Sequence, residues 1–323
     1  MKISFVIPAY NASKTIERCI KSVQAQDSSD WEAIIVDDGS KDNTIELAKQ
    51  LASGDERIVV LSQKNQGPGM ARNFAMKNVT GDYIAFLDSD DYIERNYVSL
   101  VNKKIREERL DVVIIDNFYE TPEGRIIRKE KLSDYSDSNK EELIAVQMTG
   151  KMPWGGCRKV VAKEIIINNH IEYSSDPVGE EALFSFRVFY HAKRIGFLGE
   201  FVLHYVDYPT SQSKKGADDP WGAVVVKLDE YIKTEIGDTA YRKEINSFAY
   251  TALVVSLYRI GINHRLKDAN LLSKKQIQTV TKNYPCDCNK YSLERRVKIL
   301  LPFVRIRFTL PIVLLSKLKN RMK

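Results

Sequence analysis

The sequence predicts an α/β fold: a mostly parallel central sheet flanked by helices, followed by a helical extension at the carboxyl end. Three observations lead there. Short apolar runs alternate with helix-period patterns over the first hundred or so residues, the order of a doubly wound sheet covered on both faces. Three of those runs end in clusters of polar residues, and from Trp221 to about Leu272 the composition turns helical.

Taken in order, Ile3–Tyr10 (ISFVIPAY) reads as a buried strand. Ile16, Cys19, Ile20 and Val23 then repeat at helical spacing, with Asn11 or Ser13 available as N-cap. Ala33–Ser40 is a second strand, followed by a helix carrying Ile45, Ala48 and Leu51. Asn43 with Glu46 three residues on has the form of a capping box. Ile58–Gln63 is a third strand, Met70–Val79 a third helix and Tyr83–Asp88 a fourth strand. Val98–Ile105 has a helical pattern, and Asp111–Asp116 is another buried strand. The charged stretch 120–140, with Pro122 and Gly124, is a loop or hairpin, and Leu143–Ser213 mixes helices with short strands. The expected organisation is a first half over 1–115, a second half over 116–215 and a helical region over 216–323.

With 323 residues, 43% hydrophobic and 28% charged, the composition is that of an ordinary globular protein. The apolar stretch Ile3–Ile7 is too short for the core of a secretory signal. Four cysteines without CxxC spacing fit a reduced, cytoplasmic location. The Cys286-x-Cys288 pair has no histidine nearby to complete a metal site. Charge is uneven: residues 295–323 hold nine Lys/Arg and no acid, so a net +6 leaves 6 − 9 = −3 for residues 1–294. That is not the footprint of a nucleic-acid binder. In the tail, cations alternate with Ile299, Leu300, Leu301, Phe303, Val304, Ile306, Phe308 and 312–315, while Pro302 and Pro311 break helix continuity. An anionic membrane surface, met peripherally at the inner face of the cell membrane, is the expected partner. The other reading is a helix docked on the rest of the chain with a solvated basic face.

The polar clusters carry the chemistry. In an open parallel sheet, ligands bind outside the carboxyl ends of the strands. Pro8-Ala9-Tyr10-Asn11, Asp37-Asp38-Gly39-Ser40 and Asp88-Ser89-Asp90-Asp91 stand at three such ends. Gathered aspartates repel one another unless a cation or a donor compensates them. Asp88 and Asp90 can present two carboxylates to Mg²⁺ or Mn²⁺ while a diphosphate supplies further oxygens, and the cation then neutralises charge on the leaving group. Taken alone, the same residues could be a polar loop. Asp38 could accept from a uracil N3–H or a ribose hydroxyl, or Asp37-Asp38 could be a strand-ending turn. Asn65–Gly69 is a Gly-rich turn before a helix that holds Arg72, a residue suited to a base or phosphate. Neither GxGxxG nor GxxxxGK[ST] occurs, which disfavours a dehydrogenase or a P-loop kinase.

In this order and spacing, PAYN, VDDGSKDNT, NQGPGMARN and FLDSDD resemble the family 2 glycosyltransferases of the GT-A fold, tightly over about 3–98 and loosely to about 213. The resemblance implies a metal-dependent, inverting transferase of the bacterial cell-surface polysaccharide type. It would use a nucleotide-sugar donor, a UDP-sugar, and a saccharide or lipid-linked acceptor. Residues 1–115 would bind the donor and 116–215 the acceptor. Pro8, Ala9 and Tyr10 would line the base, Asp38 would contact uracil and Arg72 would help hold the base. Asp88 and Asp90 would form the DxD pair, Asp90 being the direct metal ligand. An inverting transfer needs a carboxylate to take the acceptor's proton. The family places an Asp for this after a Glu at a helix start. Here Glu180-Glu181 stands at that place, so Glu181 is the expected base, although Asp176, Pro177 and two acids are also plain helix-start chemistry. Trp154 resembles the acceptor-side Trp, with Gly156 where the family has Lys, and could equally be core. His204 could reach the metal or satisfy local hydrogen bonds. Two rivals remain: a non-catalytic partner of another transferase, and a nucleotidyltransferase.

Overall fold

Seven consecutive residues, Ile3–Ala9, form β1, and all are buried; the same holds for β2 (Trp31–Asp37). Runs this continuously apolar can be satisfied only inside a sheet covered on both faces. β1 pairs in parallel with β2 and with β4 (Tyr83–Phe86), and β2 with β3 (Ile58–Ser62). The structure, a computed structural model, describes residues 1–175, 179–208, 218–289, 293 and 295–321. Asp176, Pro177 and the Ser211–Ser213 end of the Leu143–Ser213 stretch lie outside them.

Between these strands run α1 (Ile16–Gln24), α2 (Thr44–Ala52) and α3 (Pro68–Met76). The α1 periodicity is borne out residue for residue, since Ile16, Cys19, Ile20 and Val23 are its buried face. Its capping is not: Thr15 stands at the N-cap, and Asn11 instead adopts a left-handed turn (φ 49°) and accepts the Lys41 N–H. At α2 Asn43 is the N-cap without a side-chain bond, and Asp42 takes the Thr44 N–H in its place. Short polar side chains compete for the same orphan amides, and tertiary position decides between them.

The sheet then changes character. Its order is β3-β2-β1-β4-β8-β6-β9-β5, with β7 on β6. β8 (Lys159–Ala162) runs antiparallel between β4 and β6 (Val112–Glu120). β7 (Ile126–Glu130) closes a hairpin on β6, and β9 (Ile195–Val206) pairs with β6 in parallel and with β5 (Tyr92–Ile93) antiparallel. The part of the sheet built on β1–β4 is parallel, and the rest is mixed. Helices α4 (Tyr97–Glu108), α6 (Lys163–Asn168) and α7 (Glu180–His191) belong to this part.

Two compact units make up the chain: residues 1–140 with 155–211, and residues 141–154 with 212–323. Of the second, α5 (Lys140–Met148) supplies the early segment. The remainder is α8 (Gly222–Tyr231), α9 (Arg242–Asn263), α10 (Leu266–Asn283), α11 (Arg295–Arg305) and α12 (Leu310–Arg321). Pro302 does not end the tail helix as expected but lies inside α11. Val297, Val304 and Ile312 of the tail pack with Tyr250, Leu253, Leu257 and Ile277, and Val313 packs with Ile260 and Ala269. One face of the tail is therefore core of the helical unit.

Candidate active site

Parallel register sets the site. Ala9 stands opposite Asp37, Val6 opposite Phe86, and the Leu87 N–H bonds to the Val6 carbonyl at 3.0 Å. Tyr10, Asp38 and Asp88 consequently leave the sheet along one edge, where all three sequence clusters meet.

On one side of that edge, Asp38 is buried. Its Oδ1 accepts from Gln63 Nε2 (2.8 Å) and the Gln66 N–H (2.9 Å), and its Oδ2 from the Gly67 N–H (2.8 Å). Asp38 thus staples the Gly-rich turn to the end of β2. Pro8 and Ala9 are buried in β1, while Tyr10 is 37% exposed beside them.

The acidic loop follows β4. Asp91 is buried and accepts the Val206 N–H at 2.8 Å through Oδ1, while its Oδ2 has no hydrogen-bond partner among the described residues. Burial and the charge of Asp88 push the Asp90 carboxyl up to about 6, and burial with Asp90 and Asp88 raises Asp91 well above the usual range. Arg18 holds the loop by donating to the Asp90 carbonyl at 2.8 Å. Arg72, 4% exposed, bonds Asp88 at 2.7 Å and Glu180 at 3.1 Å, stands 3.7 Å from Glu181 and lies over the Tyr173 ring. Burial works against its charge, but the facing carboxylates outweigh burial and raise its pKa. The guanidinium is engaged by carboxylates of its own chain. Through it, the acidic loop and the Glu180–Glu181 pair belong to a single network.

Glu180 and Glu181 open α7. Glu181 Oε1 accepts the Gly156 N–H at 2.8 Å, and its side chain is the more exposed of the two, 22% against 11%. Burial, then the charge of Glu181, raises the pKa of Glu180. Glycine is required at 156: a Cβ there would stand 2.7 Å from the Tyr173 hydroxyl and 3.3 Å from Glu181 Oε1. Gly69 is required likewise, since a Cβ would meet the Ser174 carbonyl at 2.5 Å. Asn73 completes that contact, accepting the Tyr173 N–H (2.8 Å) and donating to its carbonyl (2.9 Å).

Two further candidates have contacts of their own. Trp154 belongs to the second unit, where its ring packs 5.6 Å from that of Phe248. Both ring nitrogens of His204 face carboxylates, Glu120 at 2.6 Å and Glu94 at 2.8 Å, and its ring stacks on Tyr92. It satisfies local hydrogen bonds. Sequence reasoning missed Tyr173 and Lys159; only the glycines at 69 and 156, which mark close approach, hinted at such crowding.

Among the described residues, Asp88, Asp91 and Cys157 have ligand atoms within 4.8 Å of one another. Cys157, whose thiol burial raises well above its ordinary value, offers soft sulfur, which is unsuited to a hard cation. The carboxylates of Asp88 and Asp90 are the suitable kind. Arg72 already takes an oxygen of Asp88, whereas Asp90 bonds no other side chain among the described residues.

A family model described as glycosyl transferase family 2 matches residues 4–165, half of the chain. The chain belongs to that family. It is 37% identical over 118 residues to the glycosyltransferase GlyA of Streptococcus pneumoniae, a segment covering 36% of this chain and 17% of GlyA, well under two thirds of that protein's length. It is 25% identical over 304 residues to the glycosyltransferase GlyG of the same species, covering 90% of this chain and 95% of GlyG. In structure it resembles S. aureus TarS in complex with UDP-GlcNAc, with a TM-score of 0.71 at 19% identity over 100% of this chain and 92% of that one. That likeness shows the GT-A fold.

Proposed function

We propose that this glycosyltransferase transfers a sugar from UDP to an acceptor hydroxyl with inversion, residues 1–115 binding the donor and 116–215 the acceptor. The observation that carries the proposal is the Arg72 network, which ties the acidic loop after β4 to the carboxylate pair opening α7. Inversion requires a leaving diphosphate on one side of the anomeric carbon and a proton acceptor on the other. Glu181, the more open of its pair, is the base; Glu180 stays with Arg72. Pro8, Ala9 and Tyr10 form the wall for the base, and Asp38 orders the turn beside it. Asp90 and Asp88 would hold Mg²⁺ or Mn²⁺, which supplies charge neutralisation for the leaving diphosphate. A UDP donor is supported by the TarS likeness, since that protein was solved with UDP-GlcNAc.

The acceptor we propose is a saccharide on a lipid carrier, in cell-surface polysaccharide synthesis, met at the inner face of the cell membrane. Support comes from the outer face of the tail. Leu310, Leu314, Leu315 and Leu318 are exposed at helical spacing on α12, opposite the buried Ile312, Val313 and Ser316. On α11, Ile299 is exposed beside Arg295, Lys298 and Arg305, and Ile306 is exposed in the turn that follows. An apolar stripe edged by cations suits an anionic bilayer surface.

Nucleoside diphosphate release from UDP-sugars, with and without Mn²⁺, tests the reading. Release should require the cation and fall by about 10²-fold or more in Asp90→Ala. Undiminished release in that variant refutes the metal assignment, and pyrophosphate formed instead from a nucleoside triphosphate and a sugar phosphate would make the protein a nucleotidyltransferase. Sedimentation with phosphatidylglycerol vesicles should fall on Leu314→Glu/Leu318→Glu substitution; unchanged sedimentation removes the membrane surface.

A further inference from the structure

Lys159 is a charged residue at the first position of β8, 2% exposed, flanked by strands on both sides through the β4 and β6 pairings. Holding an ammonium there is costly: burial pushes its pKa down to about 8, with the charge of Glu181 opposing the fall. A methionine of similar length would fill the space without that cost. Among the described residues, the ammonium makes two directed hydrogen bonds that a methionine could not. Nζ donates to the Gly155 carbonyl at 2.9 Å and to Ser185 Oγ at 2.8 Å. Ser185 lies four residues after Glu181, one turn along the same side of α7. Gly155 precedes the glycine whose N–H meets Glu181 Oε1.

We propose that Lys159 positions Glu181, by tying the Gly155–Gly156 turn and α7 to the same atom. With the turn and the helix fixed to one ammonium, the Gly156 N–H and the Glu181 carboxylate are held in register. Gly156 has no room for a Cβ to substitute for that tie, because Tyr173 and Glu181 fill the space. Lys159 itself touches no reacting atom. Its effect is expected wholly through Glu181, and the inference rests on Glu181 being the base.

The test is a double-mutant cycle with Lys159→Met and Glu181→Gln, following turnover of a UDP-sugar donor with thermal melting as a control of folding. Misplacing a reacting group by an ångström costs about 10²-fold, so kcat should fall by about that factor in Lys159→Met with donor KM changed less than about twofold. In the Glu181→Gln background the same substitution should cost less than about twofold, because residues acting as a unit are not additive. An equal factor in both backgrounds, or a loss confined to donor KM, overturns the positioning role and leaves the base intact. Undiminished turnover in Glu181→Gln alone overturns the base. Should Lys159→Met melt below assay temperature, Ser185→Ala removes one of the two anchors. It should show a loss of roughly 3- to 10-fold that likewise disappears in the Glu181→Gln background, and an additive loss overturns the proposal.

Discussion

Replacing Arg72 by Met removes the cation that Asp88, Glu180 and Glu181 share while keeping most of the side-chain stem. A unit pair at the 2.7 Å of Arg72 and Asp88 attracts by roughly 6 kcal/mol gross at an effective dielectric of about 20. Desolvating the guanidinium cancels much of that. What remains after truncation is the penalty of carboxylates left buried without a counter-charge, about 3–5 kcal/mol. The pH dependence follows from Glu180, whose pKa is already raised by burial and by Glu181 with Arg72 in place. A carboxyl whose folded pKa exceeds its unfolded value adds stability below the unfolded value and loses it as pH rises through the folded one. Arg72→Met raises the folded value of Glu180 further, so the variant is worst placed at neutral pH and recovers on acidification. In urea unfolding, the deficit should be about 3–5 kcal/mol at pH 7 and shrink to roughly 1–2 kcal/mol near pH 4.5. A deficit below about 1 kcal/mol at pH 7, or one of the same size at both pH values, would refute the reasoning.

Glu32 is held by Lys2, Ser4, Thr80 and Gly81, and these donors outweigh burial to bring its carboxyl from 4.5 to about 2. That lowering is worth about 3 kcal/mol above pH 4.5 and is lost as pH falls through 2; Glu32→Gln should cost 2–3 kcal/mol at pH 7 by the same reckoning, with the gap closing in acid, and a flat gap contradicts it. Gly69→Ala sets a Cβ 2.5 Å from the Ser174 carbonyl and should destabilise by about 1–3 kcal/mol in thermal melting; an unchanged Tm shows that α3 can shift freely. Asp90, with its carboxyl raised to about 6, loses stability as pH rises through that value, so Asp90→Asn should raise Tm at pH 8 and not at pH 4 when divalent cations are chelated. Equal shifts at the two pH values would contradict that burial and Asp88 are the cause.

Particular residues show why some of this was legible in the chain and some was not. The runs Ile3–Ala9 and Trp31–Asp37 are apolar throughout, and a run without a polar face must be buried wherever the chain places it. Their order, with helices between, leaves little choice but parallel pairing, so the shared edge for Tyr10, Asp38 and Asp88 could be anticipated. Caps could not, because Asn11, Asp42 and Asn43 are chemically close to interchangeable and only their neighbours in space select among them. The mixed half of the sheet was equally hidden: β8 is four residues long, with no periodicity to announce its direction.

Local chemistry along the chain therefore determined the sheet-forming runs, the α1 face and the acidic loop, since burial of apolar surface and the clustering of like charges depend on residue type and spacing alone. The tertiary structure decided the partners. Arg72, suited from sequence to a nucleotide, meets Glu180 from 108 residues away, and Lys159 reaches Ser185 and Gly155 at once. Long side chains have many rotamers in a free chain, and only the packed fold around them removes all but the one that pairs a buried charge with its counterpart.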